Sequence, residues 1–434
     1  MRKIIGIFLL ALIAVNAIPR PVTATTPAPQ TLSGSFQTVN NGPNDQTAPD
    51  LDCNLMAYIN DDHQGSSMIH YLSAPGNPDI VIPGNGLDSQ PDVGGNLIAF
   101  TELGAQSTGV AVFNTLLMMR TDIAGTARSN PALGGDLVAY EDRSFFAAPN
   151  QSEIGVYDLS TDIDIRLTND LLFDKNPAMS PTGNSVVWEK CQTDGFNCNI
   201  YAALQTSPGV FTTRALTSAV DNRNPDTNGQ IAVYISNRSG ENDIYYQPLA
   251  GGSETRIAIP GDQRDLSISG NLIAFESQLL PNQTEYDIFV YDLNTATLYR
   301  VTNTPNDEFS TRITFCNGVG RIVYVSPGTD WDVYSFTFQL PPPPPPPPSP
   351  ADEINALIAQ VRSYHLLPSL ETTLVSNLQQ ALAAVNANNT AGACSSMSSF
   401  ISKVQSQSDK KVDPLEKTEM ISSANQIKTH LGCP

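Results

Sequence analysis

The chain has 434 residues and 43 acids against 23 bases, a net charge of −20. That balance excludes nucleic acid and anionic lipid as principal partners, because both reward Lys and Arg. Apolar residues at 40% are enough for a packed core and exclude general disorder, and 33 Pro with 29 Gly predict many turns.

Arg2 and Lys3 lead into an apolar run from Ile4 to Val15, the length of a signal-peptide core and too short to span a membrane. Small residues allow cleavage after Ala17 or Ala24. Residues 1–24 are therefore expected to be a signal peptide, and the mature protein to be secreted, extracellular or periplasmic. No later stretch approaches the roughly 20 apolar residues of a membrane helix, so no transmembrane segment is expected.

A repeat then dominates the chain. PDLDCNLMAY starts at Pro49, PDVGGNLIAF at Pro91 and PALGGDLVAY at Pro131. PAMSPTGNSVVW follows at Pro177, PDTNGQIAVY at Pro225, LSISGNLIAF at Leu266 and ITFCNGVGRIVY at Ile313. The closing aromatics, Tyr58, Phe100, Tyr140, Trp188, Tyr234, Phe275 and Tyr324, recur every 40 to 49 residues. Each unit reads as a short strand, a Gly or Asn turn, and a strand ending in the aromatic. Most units add a third strand (DIYYQPL near Tyr245, DIFVYDL near Tyr291) and several a fourth with an Arg/Thr signature (IRLTN, TRALT, YRVTN).

Four short strands at this period define a β-propeller blade. The expected fold is an all-β propeller of seven four-stranded blades, with six as the competing count, over residues 31–340. The seventh unit lacks its outermost strand. FQTVNNGPNDQTAP from Phe36 echoes YRVTNTPNDEFSTR from Tyr299, so the first strand of the mature chain is expected to complete the last blade. PAMSPTGNSVVW and the (Asp)-Ile-Tyr strands resemble the TolB-like propeller repeat of exported bacterial proteins, with Thr182 where that family has Asp. The resemblance covers about Thr31 to Phe338 and implies fold. TolB itself has six blades and an N-terminal α/β domain for which this chain has no room, so TolB's envelope role is not implied.

Pro341 to Pro348 are consecutive prolines followed by Ser349 and Pro350, and residues 341–350 read as a polyproline linker. Beyond it the apolar period changes from 2 to 3.6. Ile354, Leu357, Ile358 and Val361 share one helical face, as do Met397, Phe400, Ile401 and Val404. Four helices are expected, at about 350–363, 369–387, 390–408 and 413–431, with caps at Ser349 and Asp413 and a stop at Gly432. This small all-α domain, 351–434, resembles the FIMAH domain of exported bacterial proteins through Phe400-Ile401, Cys394 and Gly432-Cys433. Ser402, Lys403 and Val404 depart from that domain's pattern.

The six cysteines lack Cys-x-x-Cys spacing. Cys191 and Cys198 flank one short loop, Cys394 and Cys433 share the tail, and Cys53 and Cys316 fall in units one and seven, which ring closure makes neighbours. Three structural disulfides in those pairs are expected.

Catalytic motifs are missing. The sequence has no Gly-x-Ser-x-Gly, His-Glu-x-x-His, P-loop or EF-hand loop, and only His63 and His70 lie in the propeller. One recurrence stands out: Asp45, Asp88, Asp174, Asp221, Asp262 and Asp307 occupy the loop entering the first strand of six units. Each caps its own turn in one reading. In the other the six form a carboxylate mouth that binds calcium or a basic partner segment. No other cofactor is expected. Asn150, Asn237, Asn282 and Asn388 are glycosylation acceptors if the host modifies exported proteins. The functional expectation is a secreted, monomeric, non-catalytic binding scaffold for a protein or glycan. The alternative is a carbohydrate-active hydrolase or lyase using propeller carboxylates.

Overall fold

In a computed structural model, residues 28–104, 107–144, 151–192, 195–218, 221–279, 283–341 and 348–433 are described. The expected signal peptide (residues 1–24), most of the proline run, Asn150 and Asn282 lie outside these residues. The repeat units fold as seven antiparallel sheets, each a blade whose strands pair in chain order. The blades' first strands are Asp45–Asp52, Asp88–Gly94, Arg128–Gly134, Phe173–Met179, Asn222–Thr227, Gln263–Ser269 and Phe309–Cys316. Blade seven is completed by Gly34–Asn40, which pairs antiparallel with Trp331–Phe338, as the sequence echo predicts. A two-residue strand, Gln30–Thr31, adds in parallel to the outer edge of blade six.

The closing aromatics are buried at every unit, none more than 5% exposed. Four stand directly opposite a third-strand aromatic: Trp188 with Tyr201, Tyr234 with Tyr245, Phe275 with Phe289 and Tyr324 with Tyr334. Ring centroids lie 5.9–6.2 Å apart, the spacing at which such pairs hold a sheet together. Apolar clusters fill the seams between consecutive blades, for example Ile69, Val93 and Phe100 between blades one and two. Tyr58, Leu72, Val325 and Val333 fill the seam between blades one and seven. The core is therefore a ring of seams around an axis.

The Arg/Thr signature closes the fourth strand. Thr168, Thr217 and Thr302 accept, through Oγ1, the backbone N–H of Ile154, Ile200 and Ile288 in the third strand. Arg166 and Arg300 fold back to donate to the carbonyls of Thr168 and Thr302.

The second compact unit, residues 341–434, contains helices α1 (Pro350–Ser363), α2 (Pro368–Asn386), α3 (Thr390–Gln405) and α4 (Pro414–His430). Ser349 and Asp352 form a capping box at α1, and Asp413 caps α4 by accepting the Leu415 N–H. Ile354, Leu374, Leu378, Met397, Phe400 and Met420 form its core, and Gly432 takes the left-handed conformation (φ +70°) that ends α4. Cysteines pair as Cys53–Cys316, Cys191–Cys198 and Cys394–Cys433. No described helix is long and apolar enough to cross a membrane.

Candidate functional site: an acidic central channel

Every first strand carries the same irregularity. Its register with the second strand shifts at a bulge, and inside each bulge one residue has positive φ: Ala48, Gln90, Asn130, Asn176, Asn224, Asp265 and Ser310. Proline follows in the first five. A residue without an N–H fits the unpaired bulge position, and these first strands lie at one edge of each sheet, where proline is tolerated. The bulges and the strand ends beyond them wall a cavity of about 410 Å³ to which all seven blades contribute.

Two residues past the left-handed position stand Asp50, Asp92 and Asp226, all lining the cavity. Each accepts, through Oδ2, a backbone N–H of the next blade: Val93 at 2.5 Å, Leu133 at 2.6 Å and Ile268 at 2.8 Å. The three carboxylates thus latch adjacent blades while remaining on the channel wall. Burial pushes Asp50 up to about 7, with Arg312 opposing. Burial, followed by the Asp50 charge, raises Asp92, and burial raises Asp226. The corresponding position in blade seven is Arg312, whose Nη1 donates to Asp265 Oδ1 at 3.0 Å.

Behind the left-handed residues runs a second set of acids. Glu141 Oε1 accepts from the Asn130 side-chain amide and from the Asn176 N–H. Glu189 Oε1 accepts from the Asn176 side chain and the Asn224 N–H. In blade six the left-handed residue is Asp265, so Glu276 faces a carboxylate where its counterparts face an amide. Glu276 is 1% exposed, its Oε2 accepts from Arg264 Nε at 2.6 Å, and its Oε1 has no donor. Burial first, and the Asp265 charge next, push it up to about 9.

The six sequence-predicted aspartates fall on two registers one residue apart, which in a strand point to opposite sides. Asp45, Asp221, Asp262 and Asp307 accept the N–H that opens the third strand of the preceding blade, from Trp331, Cys198, Asn242 and Tyr286. Asp88 and Asp174 occupy the next position, which is buried in every blade: Gln46, Asp88, Arg128, Asp174, Asn222, Gln263 and Glu308. None of the six lines the cavity. Among the described residues, the groups of three His, Cys, Asp or Glu whose ligand atoms lie within 4.8 Å of one another all include disulfide sulfurs. His63 pairs with Asp45 and His70 with Asp79. The channel acids carried a signal that sequence reasoning missed: Asp follows the unit-opening proline in PDLDC, PDVGG and PDTNG.

Fold and site together define a seven-bladed propeller with an acidic channel. No protein-family model matches the chain, and no curated protein matches it in sequence. Among solved structures it is similar to the acylaminoacyl peptidase of Pyrococcus horikoshii (TM-score 0.53, 13% identity, 69% of this chain and 52% of that one). It is also similar to a puromycin hydrolase (0.52, 15%, 70% and 55%). The β-propeller domain of the Trilobed protease from Pyrococcus furiosus is covered almost whole (0.52, 11%, 70% and 97%). The chain thus spans about half the length of the peptidase and hydrolase, and at these identities the likeness is one of fold. It nevertheless overturns the expectation of a non-catalytic protein- or glycan-binding scaffold, together with its carbohydrate-active alternative. The absence of catalytic motifs is therefore no ground for calling the protein a non-enzyme: solved peptidases resemble this propeller in fold over about half of their own length.

Proposed function

We propose that this chain serves in peptide hydrolysis outside the cytoplasm, its propeller receiving and selecting a peptide for a hydrolytic centre. The observation that carries this reading is the channel cavity walled by all seven first strands. A mouth of this size admits an extended peptide and excludes a folded domain, which is a physical basis for selection by access. The similarity to propellers of named peptidases supports it. Three disulfides support an oxidising compartment, consistent with export through the N-terminal segment. Kinship of the repeat to the TolB-like family rests on PAMSPTGNSVVW and the Ile-Tyr strands, and that of the tail to FIMAH on Phe400-Ile401 and Gly432-Cys433.

The test is incubation of the full natural chain with a mixture of synthetic peptides, followed by mass spectrometry and by retention on the immobilised chain. Short unstructured peptides are expected to be retained and cleaved, and folded proteins to be left intact. A chain that neither retains nor cleaves any peptide overturns the proposal.

A further inference from the structure

Three blades build the turn between their third and fourth strands on one plan. Asn114 Oδ1 accepts the N–H groups of Leu116 and Leu117 in blade two. Asp158 Oδ1 does the same for Ser160 and Thr161 in blade three, and Asp292 Oδ1 for Asn294 in blade six. Thr115, Leu159 and Leu293 each donate to the turn joining the first two strands of their own blade. Met118, Asp162 and Ala296 then take left-handed φ values of +53°, +60° and +50°.

This plan fixes the backbone and leaves the choice of outward side chains open. Blade three fills them with Ser160, Thr161 and Asp162, and blade six with Asn294, Thr295 and Ala296, all suited to a solvated turn. Blade two instead carries Leu116, Leu117, Met118 and Met119, which are 72%, 66%, 59% and 61% exposed. Among the described residues no other run of consecutive large apolar side chains is exposed in this way. Asp tolerates the left-handed conformation, whereas a long apolar side chain does not favour it, so the turn itself does not call for Met118. Met118 Sδ accepts from the Tyr71 hydroxyl at 3.5 Å, which holds the tip against blade one.

Apolar character continues along the same rim. Strands alternate direction within every blade, so these turns all leave the ring on one side. The residue that opens the fourth strand is Met119 in blade two, Ile163 in blade three and Val210 in blade four. Ile163 and Val210 are 54% and 53% exposed, whereas blades five and six have Thr255 and Thr297 there.

We infer that the Leu116–Met119 tip inserts into the interface of a lipid bilayer with zwitterionic headgroups, with Ile163 and Val210 resting on the same surface. This placement does not rest on the peptide reading. Lipid is selected first by direction. Consecutive turn residues point different ways, and a protein groove would cover one side of the hairpin and leave the other in water. All four are apolar and exposed, which suits a medium that is apolar on every side. Extent agrees, because a stable protein interface draws about 20 to 30 residues from each partner, far more than one turn and two neighbours supply. Charge decides the headgroup. Arg120, the base that follows the tip, is tied to Glu102 and Asp122, and a chain of net charge −20 is repelled by anionic lipid. The N–H groups of Thr115, Leu116 and Leu117 are satisfied within the blade by Asn96 and Asn114, as entry into a water-poor phase requires.

The test follows flotation of the full chain with phosphatidylcholine vesicles and with vesicles rich in phosphatidylglycerol. Binding to phosphatidylcholine is expected, undiminished by high salt, and weaker binding to the anionic vesicles. Leu116→Asn/Leu117→Thr/Met118→Ala installs the blade-six turn sequence without changing net charge. It should melt like the natural chain, while its vesicle affinity falls at least about tenfold. Independently, emission from Leu117→Trp should move to the blue on phosphatidylcholine and be quenched by lipids brominated along the acyl chain. The inference is overturned if the natural chain does not float, if it binds only anionic vesicles and is released by salt, or if the folded triple variant binds undiminished. Emission from Leu117→Trp that vesicles leave unchanged overturns it too. So does a dimer in sedimentation that the triple variant abolishes, since the tip would then face a second copy.

Discussion

Asp88 and Asp174 occupy the same buried position in blades two and four, yet their surroundings differ by two substitutions. Across from Asp174 stands Lys190, and the Trp188 indole N–H donates to Asp174 Oδ1 at 2.8 Å. Across from Asp88 stands Glu102, and the aromatic is Phe100, which has no donor. Arg120 binds Glu102, so Asp88 is left fully buried with neither oxygen hydrogen-bonded. Burial, then the Glu102 charge, push it up to about 6 from 3.8. A carboxyl raised in the folded state holds its proton where the unfolded chain has lost it. Its favourable contribution is therefore complete below about pH 4 and is lost as pH rises through about 6. Asp88→Asn, which does not titrate, is expected to stabilise the propeller by about 2 kcal/mol at pH 8. That gain should be absent at pH 4. Paired melts at the two pH values check it, and an equal shift at both would show that charge is not the cause.

At the scale of the strand, the repeated bulge turns one sequence signal into two jobs. The left-handed residue and its following proline break the ladder, and the next residue is thereby aimed at the neighbouring blade's backbone. Asp226 is the fullest case: Oδ2 accepts from Ile268 and Oδ1 from Thr227. Asp226→Ala leaves two inner-wall N–H groups without their acceptor and should cost about 1–3 kcal/mol, against a much smaller loss for Asp226→Asn. Urea melts of the two variants separate a lost hydrogen bond from a lost charge.

The blade period and the closing aromatics were legible because the same segment recurs every 40 to 49 residues, and the strand that completes blade seven because FQTVNNGPNDQTAP from Phe36 echoes YRVTNTPNDEFSTR from Tyr299. The helix ends were legible because Ser349, Asp413 and Gly432 act locally. The channel was not. Asp50, Asp92 and Asp226 sit beside the prolines that revealed the repeat, but their partners are 41 to 43 residues away in the next blade. The loop aspartates drew attention by recurrence, although one residue of offset sends Asp88 and Asp174 to a different face from Asp45, Asp221, Asp262 and Asp307. A sequence scan that counts recurrence without register cannot separate them.

At the scale of the whole ring, closure depends on one seam. Six junctions join blades consecutive in the chain, whereas blades one and seven are joined by elements hundreds of residues apart. Gly34–Asn40 supplies the outer strand, and Asp45 accepts the Trp331 N–H. At the other end of the same first strand Cys53 bonds Cys316, its N–H donates to Thr314 Oγ1, and its carbonyl accepts from Arg321. Its neighbours Asp52 and Thr314 line the cavity, although neither cysteine does, so this disulfide braces the seam just behind the channel wall. Cross-linking residues 263 apart removes much of the unfolded chain's freedom, up to about 5 kcal/mol in the loop-entropy description. Cys53→Ser/Cys316→Ser should therefore lower stability more than Cys191→Ser/Cys198→Ser, whose loop is short and whose stabilisation in the same description is about 2.5 kcal/mol. The loss should also be local first. Hydrogen exchange should quicken in Gly34–Asn40 and Trp331–Phe338 before it does in blades three to five, because only the former lose their covalent clasp. Uniform quickening around the ring, or equal destabilisation by the two serine pairs, would show that the seam is no weaker than the other six junctions.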